Sequence, residues 1–365
     1  DPVGTMRAIN PKFTFIGALG VFTPCIIVPY YSVVGSWIVY YLVESLTNSQ
    51  VSNYEEHFNQ FISSPIKPLV YLFAFIFISA FIVYRGIEKG IEKYSKIIMP
   101  MLFVLLIVLM VRALTLENAE QGVRFFFYPD FSKANSETFL TALGQSFFSL
   151  SVGMGIYITY GSYIKPDEDL FKGTYPVPIL DTLVSLLAGV TIFSAMFAFN
   201  VPINAGPSLV FITLPKIFAA MPFGEFFAFL FFLLLLFAAV TSAISLMEVV
   251  VSFMGDQMKV SRHKSITLFA SLIFIIGIFV SLSFGVLADF KIFGKTLFDL
   301  FDFLSSNVLL PVGGLLTCLV VGWYYGVQNL GIFKNKYAQS LFKILVRCVA
   351  PIAVVLVFLN SFGIL

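Results

Sequence analysis

Residues 144–155 read GQSFFSLSVGMG and lie in the middle of an apolar run that extends from 138 to 164. Ser149, Ser151, Gly153 and Gly155 place weak helix formers about halfway along this run. Backbone that unwinds at this depth in a bilayer is tolerated where its polar groups line a cavity or bind a ligand. The alternative is that the small residues only let neighbouring helices pack closely. Composition leaves both interpretations open.

The composition of the whole chain requires a lipid environment. Of its 365 residues, 59% are hydrophobic and 12% are charged, whereas an average soluble domain carries about 25% charged residues. A spanning helix needs roughly 20 apolar residues, and such runs recur along the sequence. We predict an all-α integral membrane protein with about nine transmembrane helices, the fourth of them broken, and a short helix outside the membrane from Leu209 to Ala220. The predicted spans are 13–46, 66–84, 96–115, 138–164, 177–199, 223–254, 265–286, 299–326 and 341–362.

The distribution of basic residues predicts the orientation of these spans. Of the 22 Lys and Arg residues, 14 lie in one set of loops, 7 lie in the opposite set, and Arg347 lies within the last span. Cytoplasmic loops carry the excess of basic residues. The start of this chain is therefore expected in the cytoplasm and, after nine crossings, its end is expected outside.

The remaining polar residues do not indicate an enzyme, a metal centre or a nucleic-acid-binding protein. The net charge is +2, and the basic residues stand singly between apolar runs. Cys25, Cys318 and Cys348 lie far apart in apolar stretches, and His57 and His263 have no partner at ligand spacing. We expect no cofactor, no catalytic residues and no nucleic-acid partner.

One face of the sixth span carries oxygen-bearing groups. Ala238, Thr241, Ser242 and Ser245 stand at offsets of 0, 3, 4 and 7, which is a single helix face. Two hydroxyls and a carbonyl on one stripe suit an alkali cation. The alternative is that the hydroxyls bond back to carbonyls of the previous turn, as they commonly do in membrane helices.

Acidic residues inside apolar spans cost roughly 3 kcal/mol each on insertion scales and are functional candidates. Asp181 in the fifth span and Glu248 in the sixth lie too deep to reach headgroups, and Asp302 lies at the start of the eighth. No role for Glu248 follows from the pattern. A packed polar network and a part in proton balance both stay open.

Three segments together resemble the neurotransmitter:sodium symporter family, in particular its bacterial amino-acid transporters of the leucine-transporter type. They are 144–163, 238–245 and 29–37, the last reading PYYSVVGSW. The resemblance covers essentially the whole chain, 1–365, as one transporter domain, and it implies an inverted-repeat helical bundle. The nine spans would correspond to family helices three to eleven. We therefore expect the first two helices of the fold to be missing before Asp1.

The resemblance also implies individual roles in binding. Tyr31 would donate its hydroxyl to the substrate carboxylate. One sodium ion would bind Ser149 and Asp181, and a second would bind the Ala238 carbonyl with the Thr241 and Ser242 hydroxyls. The implied substrate-binding residues are Ile27, Tyr31, Phe148, Ser151, Met154, Ser242 and Leu246.

Further residues match gating positions of the family. Asp302 matches the carboxylate of the outer gate, and Asp256 and Tyr163 match the inner gate. Gly90 and Pro100 match a motif that lets the fifth family helix unwind and admit cytoplasmic water.

These roles predict a sodium-coupled symporter of neutral, apolar or aromatic amino acids in the bacterial cytoplasmic membrane, because an apolar pocket would strand a charged side chain. Its partners would be sodium, the amino acid and lipid. Chloride would not be needed, because the Asp181 carboxylate supplies the compensating charge; Ser185, one turn on, matches the chloride-binding serine of animal carriers. Alternatives are a proton-coupled carrier of the same fold and a channel-like or truncated, non-transporting membrane protein.

Overall fold

The computed structural model describes residues 1–47, 51–165, 168, 170–201, 206–331, 333 and 335–361. Within these ranges the secondary structure is helical, apart from an isolated β-bridge between Ile292 and Lys295. We number the principal helices α1 to α14. They are α1 (Pro2–Ile9), α2 (Pro11–Glu44), α3 (Tyr54–Ser63), α4 (Lys67–Tyr84), α5 (Ile87–Leu114), α6 (Ala119–Phe127), α7 (Ser136–Ser149), α8 (Ile156–Gly161), α9 (Lys172–Ala198), α10 (Leu209–Ala220), α11 (Gly224–Asp256), α12 (Arg262–Leu282), α13 (Leu297–Tyr325) and α14 (Lys336–Asn360).

The predicted spans correspond to the long helices of the structure. In the part of the chain that is described, eight helices are long and apolar enough to cross a membrane: α2, α4, α5, α9, α11, α12, α13 and α14. The remaining predicted span, 138–164, is divided between α7 and α8, so the predicted break is present. The short helix predicted from Leu209 to Ala220 is α10.

Several helices begin before their apolar runs do. The third span was predicted from residue 96, but α5 begins at Ile87, so Lys89 and Lys93 belong to the helix rather than to a loop. Its first segment, Ile87–Glu92, is a π-helix that continues directly into Lys93–Leu114. Backbone hydrogen bonds do not require apolar side chains, so the charged residues end the apolar pattern without ending the helix.

Helix α2 forms the centre of the bundle and packs against α1, α4, α11, α12 and α13. Gly35 permits the close approach of α4, since a Cβ there would lie 2.6 Å from the ring of Phe75. Trp37, 1% exposed, meets Phe58 of α3 and Phe211 of α10 edge to face, with ring centroids 5.3 and 5.6 Å apart. Through these aromatic contacts the short helices α3 and α10 pack against the core.

The outer faces of the helices are apolar. Phe73 and Phe77 on α4 are 58% and 59% exposed, and Val104 on α5 is 60% exposed. Large exposed apolar surfaces of this kind mark contact with lipid or with another protein. The arrangement agrees with helices that cross a bilayer.

Candidate functional site

The interruption between α7 and α8 is built from left-handed backbone. Ser151, Gly153 and Gly155 have φ angles of +54°, +82° and +71°. At Gly153 a side chain is excluded as well, because a Cβ would lie 2.6 Å from the carbonyl oxygen of Leu310 in α13. The amides of Gly153, Met154 and Gly155 make no hydrogen bond to the described residues. The interruption therefore offers unpaired polar backbone groups in the middle of the predicted span 138–164.

Ser149, the last residue of α7, meets Asp181 of α9 at this interruption. Its hydroxyl donates to both carboxylate oxygens, at 2.7 and 2.8 Å. The structure thus brings together both residues predicted to bind one sodium ion. Hydroxyl and carboxylate oxygens are the ligands that hard cations prefer. Ser185 lies one turn further along α9, and its side chain is exposed.

The second predicted cation set lies on α11. The hydroxyl of Thr241 donates to the carbonyls of Phe237 and Ala238, at 3.0 and 2.9 Å. The Thr241 hydroxyl therefore bonds to carbonyls of the previous turn, which was the alternative to cation binding. The same hydrogen bonds keep the Thr241 oxygen next to the Ala238 carbonyl. Ser242 is exposed, whereas Ser245 donates to the Thr241 carbonyl at 3.1 Å and accepts from Tyr160 at 2.9 Å.

The predicted substrate-binding residues come from α2, α7, the interruption and α11. Ile27, Met154 and Leu246 are buried in the main apolar core, with exposures of 1%, 4% and 4%. Tyr31 and Phe148 are partly buried against the same core, and Ser151 is half-buried. The Tyr31 hydroxyl approaches the side chain of Ser242. Helix α2 meets the interruption directly, since Gly20 packs against Gly155.

A polar network joins the segment after α8 to the helices α11, α12 and α4. Glu248 of α11, 0% exposed, accepts a hydrogen bond from the Tyr163 hydroxyl at 2.6 Å. It also binds the guanidinium of Arg262, the first residue of α12, through both oxygens at 2.9 and 2.5 Å. The Nε of Arg262 donates to the carbonyl of Val83 in α4 at 3.0 Å. A buried carboxylate and its cation are thus fully paired.

The other two predicted gate carboxylates stand apart from this network. Asp302 in α13 accepts from the Ser306 hydroxyl at 3.3 Å, and its carbonyl accepts from Ser305 at 3.0 Å. Asp256, at the end of α11, lies 3.2 Å from the backbone nitrogen of Asp1. Within the described residues, neither carboxylate has an arginine or lysine side chain as an ion-pair partner.

Comparison with known proteins identifies the family. A sequence profile described as the Sodium:neurotransmitter symporter family matches residues 53–364. The chain belongs to this family. It is similar to YhdH of Bacillus subtilis (strain 168), an uncharacterized sodium-dependent transporter, with 38% identity over 359 residues, 96% of this chain and 80% of that protein. An uncharacterized sodium-dependent transporter of Haemophilus influenzae is 32% identical over 370 residues, 97% of this chain and 80% of that protein.

A solved structure shows the fold of this symporter. The crystal structure of MhsT in complex with L-phenylalanine superposes with a TM-score of 0.91 at 37% identity, covering 99% of this chain and 85% of that one. The fold is therefore the inverted-repeat bundle of leucine-transporter-like proteins. The symporter is a multi-pass membrane protein and a secondary transporter, not an enzyme, with sodium as the co-transported ion.

Sequence reasoning found Glu248 but missed the role of Arg262, which is one of the 14 basic residues assigned above to the predicted cytoplasmic loops. The two residues are 14 positions apart and lie on the two arms of a helical hairpin, α11 and α12. A buried carboxylate requires a compensating cation. A basic residue at the first position of the next helix was the signal that could have identified the pair.

Proposed function

We propose that this sodium-dependent symporter carries neutral amino acids with apolar or aromatic side chains across the bacterial cytoplasmic membrane, without a requirement for chloride. The observation that supports this most is the contact of Ser149 with both oxygens of Asp181, at 2.7 and 2.8 Å, beside the interrupted helix. A cation bound there would sit next to backbone groups that have no helical partner.

The apolar character of the candidate pocket supports the substrate class. Ile27, Met154 and Leu246 are buried and carry no charge, so a charged substrate side chain would lose its hydration without compensation. Tyr31 would bind the substrate carboxylate, Phe148 would cover the substrate from outside, and Ser151 and Ser242 would complete the pocket. The similar protein MhsT was crystallised with L-phenylalanine, which suits a pocket of this kind.

Two sodium sites would couple the ion gradient to the substrate. In the first, Ser149 and Asp181 supply a hydroxyl and a carboxylate. In the second, the Ala238 carbonyl and the hydroxyls of Thr241 and Ser242 supply three oxygens. Sodium and substrate would stabilise the same closed arrangement of helices, so each raises the affinity for the other.

The Asp181 carboxylate also accounts for the proposed independence of chloride. Two cations and a zwitterion in a low-dielectric site need a compensating negative charge, because burying net charge is expensive. Asp181 is a fixed acid one turn from Ser185, so it would balance this charge without a bound anion.

Alternating access would use groups on the two sides of the pocket. Asp302 would close the outer path, whereas Tyr163 and Asp256 would close the inner path. The Tyr163–Glu248–Arg262 network would hold the segment after α8 against α11 and α12. Gly90 and Pro100 would let the start of α5 unwind. The excess of basic residues in one set of loops supports a cytoplasmic start and an external end for this chain.

Uptake into proteoliposomes tests the substrate class, with the protein produced from the complete gene. Leucine, methionine, phenylalanine and tryptophan should each compete with labelled phenylalanine, while aspartate and lysine should not. Met154→Glu should abolish uptake of phenylalanine, because it introduces a buried charge, whereas Met154→Leu should preserve it. Preferential uptake of aspartate or lysine would overturn the proposal.

A further inference from the structure

A groove runs between α4 and α12 on the outer face of the bundle. Its volume is about 440 Å³, and its lining is almost entirely apolar. The α4 residues that line it recur every three or four positions, at offsets of 0, 3, 4, 7, 8 and 11 from the first. The α12 residues do the same, at offsets of 0, 3, 4 and 7, with Ile266 beside them. Each wall is therefore a single helix face. The lining residues are Phe73, Ile76, Phe77, Ala80, Phe81 and Tyr84 on α4, and Ile266, Thr267, Ala270, Ser271 and Phe274 on α12.

The length of the groove matches one leaflet of a bilayer. At one end Phe73 meets Phe274 edge to face, with ring centroids 5.8 Å apart. At the other end Tyr84 stacks on His263, with centroids 4.2 Å apart. Eleven residue steps separate Phe73 from Tyr84, which is about 16 Å of helix at 1.5 Å per residue. Half of the hydrocarbon core is about 15 Å thick.

Basic residues lie at the Tyr84 end of the groove. The guanidinium of Arg85 lies 4.8 Å from the ring centroid of Phe81, a residue of the lining. His263 and the exposed Lys264 precede Thr267 by four and three residues, so both lie on the helix face that lines the groove. Arg262 is not available for a ligand, because Glu248 and Val83 bind it. Glu88, one turn beyond Arg85, is the nearest acidic residue in sequence.

We propose that this groove binds a phospholipid with an anionic headgroup. One acyl chain lies along the ladder of Phe73, Phe77 and Phe81, whose stacked rings have centroids 6.1 and 6.2 Å apart. The phosphate lies between Arg85 and Lys264, where basic residues at the membrane surface attract anionic lipid. The site requires only that α4 and α12 cross the membrane, so it stands independently of the substrate and ion sites.

A second copy of the chain is a poorer occupant of the same groove. A twofold axis along the membrane normal would bring both sets of Arg85 and Lys264 to the same membrane face beside the contact. Like charges held together there would oppose the association, whereas a lipid phosphate neutralises them. Charge complementarity therefore selects the lipid.

Native mass spectrometry of the delipidated protein, titrated with phosphatidylglycerol, tests the proposal. Phosphatidylglycerol should bind more tightly than phosphatidylcholine of the same acyl chains, and inorganic phosphate should not compete at equal concentration. The double variant Arg85→Gln, Lys264→Gln should bind phosphatidylglycerol about 30-fold more weakly, since each surface cation contributes about fivefold. Ala80→Phe, which fills the groove, should weaken binding while both cations remain.

Two variants serve as matched controls. Lys12→Gln removes an exposed cation away from the groove, and Val104→Phe enlarges an exposed residue of α5; both should bind phosphatidylglycerol as the parent does. Equal affinity for the two lipids, full competition by inorganic phosphate, or an unaffected double variant would each overturn the proposal. A disulfide between two copies through Ser271→Cys in membranes would also overturn it, because a second copy would then occupy the groove.

Discussion

The carboxylate of Glu248 and the guanidinium of Arg262 form a bidentate pair, with distances of 2.9 and 2.5 Å. The Glu248 side chain is 0% exposed and that of Arg262 is 27% exposed. The Tyr163 hydroxyl binds the same carboxylate from a third direction, at 2.6 Å. The network therefore connects the segment after α8 to the hairpin of α11 and α12.

Removing one partner of this pair should destabilise the protein strongly. Glu248→Gln leaves the Arg262 charge without its counterion, and breaking a buried pair costs about 3–5 kcal/mol. We expect the thermal midpoint of the purified protein to fall clearly. The double variant Glu248→Gln, Arg262→Gln should lose less than the sum of the single variants, because no charge is then left unpaired.

Glu92 and Lys96 provide the matched control for that measurement. They form an ion pair of 2.6 Å one turn apart on α5, with side chains 49% and 73% exposed. Exposed pairs contribute about 0–1 kcal/mol, so Glu92→Gln should leave the midpoint nearly unchanged. If the thermal midpoint falls equally in Glu248→Gln and Glu92→Gln, the buried network contributes no more to stability than an exposed ion pair.

Loss of the Ser149 hydroxyl should weaken sodium binding. Ser149→Ala removes one oxygen ligand beside Asp181, and we expect the sodium concentration for half-maximal uptake to rise about tenfold, the effect of roughly 1.4 kcal/mol. Ser146→Ala is the control, since the Ser146 hydroxyl only bonds back to Leu143 at 2.7 Å. If both variants keep the sodium dependence of the parent, Ser149 is not a ligand.

The span pattern of this fold is visible in sequence, because apolar runs and the small residues between 144 and 155 determine it. The helix starts are less visible. Helix α5 begins nine residues before its predicted span, because its first turns contain charged residues and so lack the apolar pattern from which the span was predicted. The left-handed conformation of Ser151, with φ +54°, has no signal in the sequence, because residues other than glycine rarely adopt it.

The candidate site depends on contacts between distant residues. Ser149 and Asp181 are 32 positions apart, and no local periodicity pairs them, so the sequence suggested this set only through family resemblance. The contact of Glu248 with Arg262 was not anticipated at all. Sequence spacing shows which residues share a helix face, whereas the pairing of faces from different helices requires the folded bundle.

The hydroxyl of Thr241 should contribute to transport beyond its bond to the helix backbone. Thr241→Ala should raise the sodium concentration for half-maximal uptake, and Thr241→Ser should restore it. Thr23 makes the same kind of back-bond, to Leu19 at 2.9 Å on α2, but belongs to neither predicted cation set. Thr23→Ala should therefore leave the sodium dependence unchanged; matching shifts in Thr23→Ala and Thr241→Ala would reduce Thr241 to a structural role.

The charge of Asp181 should determine the response to chloride. The parent protein should transport equally well in chloride and in gluconate, because the carboxylate balances the bound cations. Asp181→Asn should transport weakly and be partly rescued by chloride. A conservative change nearby, Ser185→Ala, should not create chloride dependence. Parent protein that stops transporting in gluconate would refute the assignment of Asp181 as the balancing charge.

Accumulation of L-phenylalanine by proteoliposomes under an inward sodium gradient tests the central claim most directly. The protein from the complete gene should concentrate labelled phenylalanine when sodium is outside, and Asp181→Asn should lose most of this accumulation without chloride. Replacing the sodium gradient by a choline gradient of equal strength should abolish it. Accumulation that persists with choline, or that is driven by a proton gradient alone, would contradict sodium-coupled transport of an apolar amino acid.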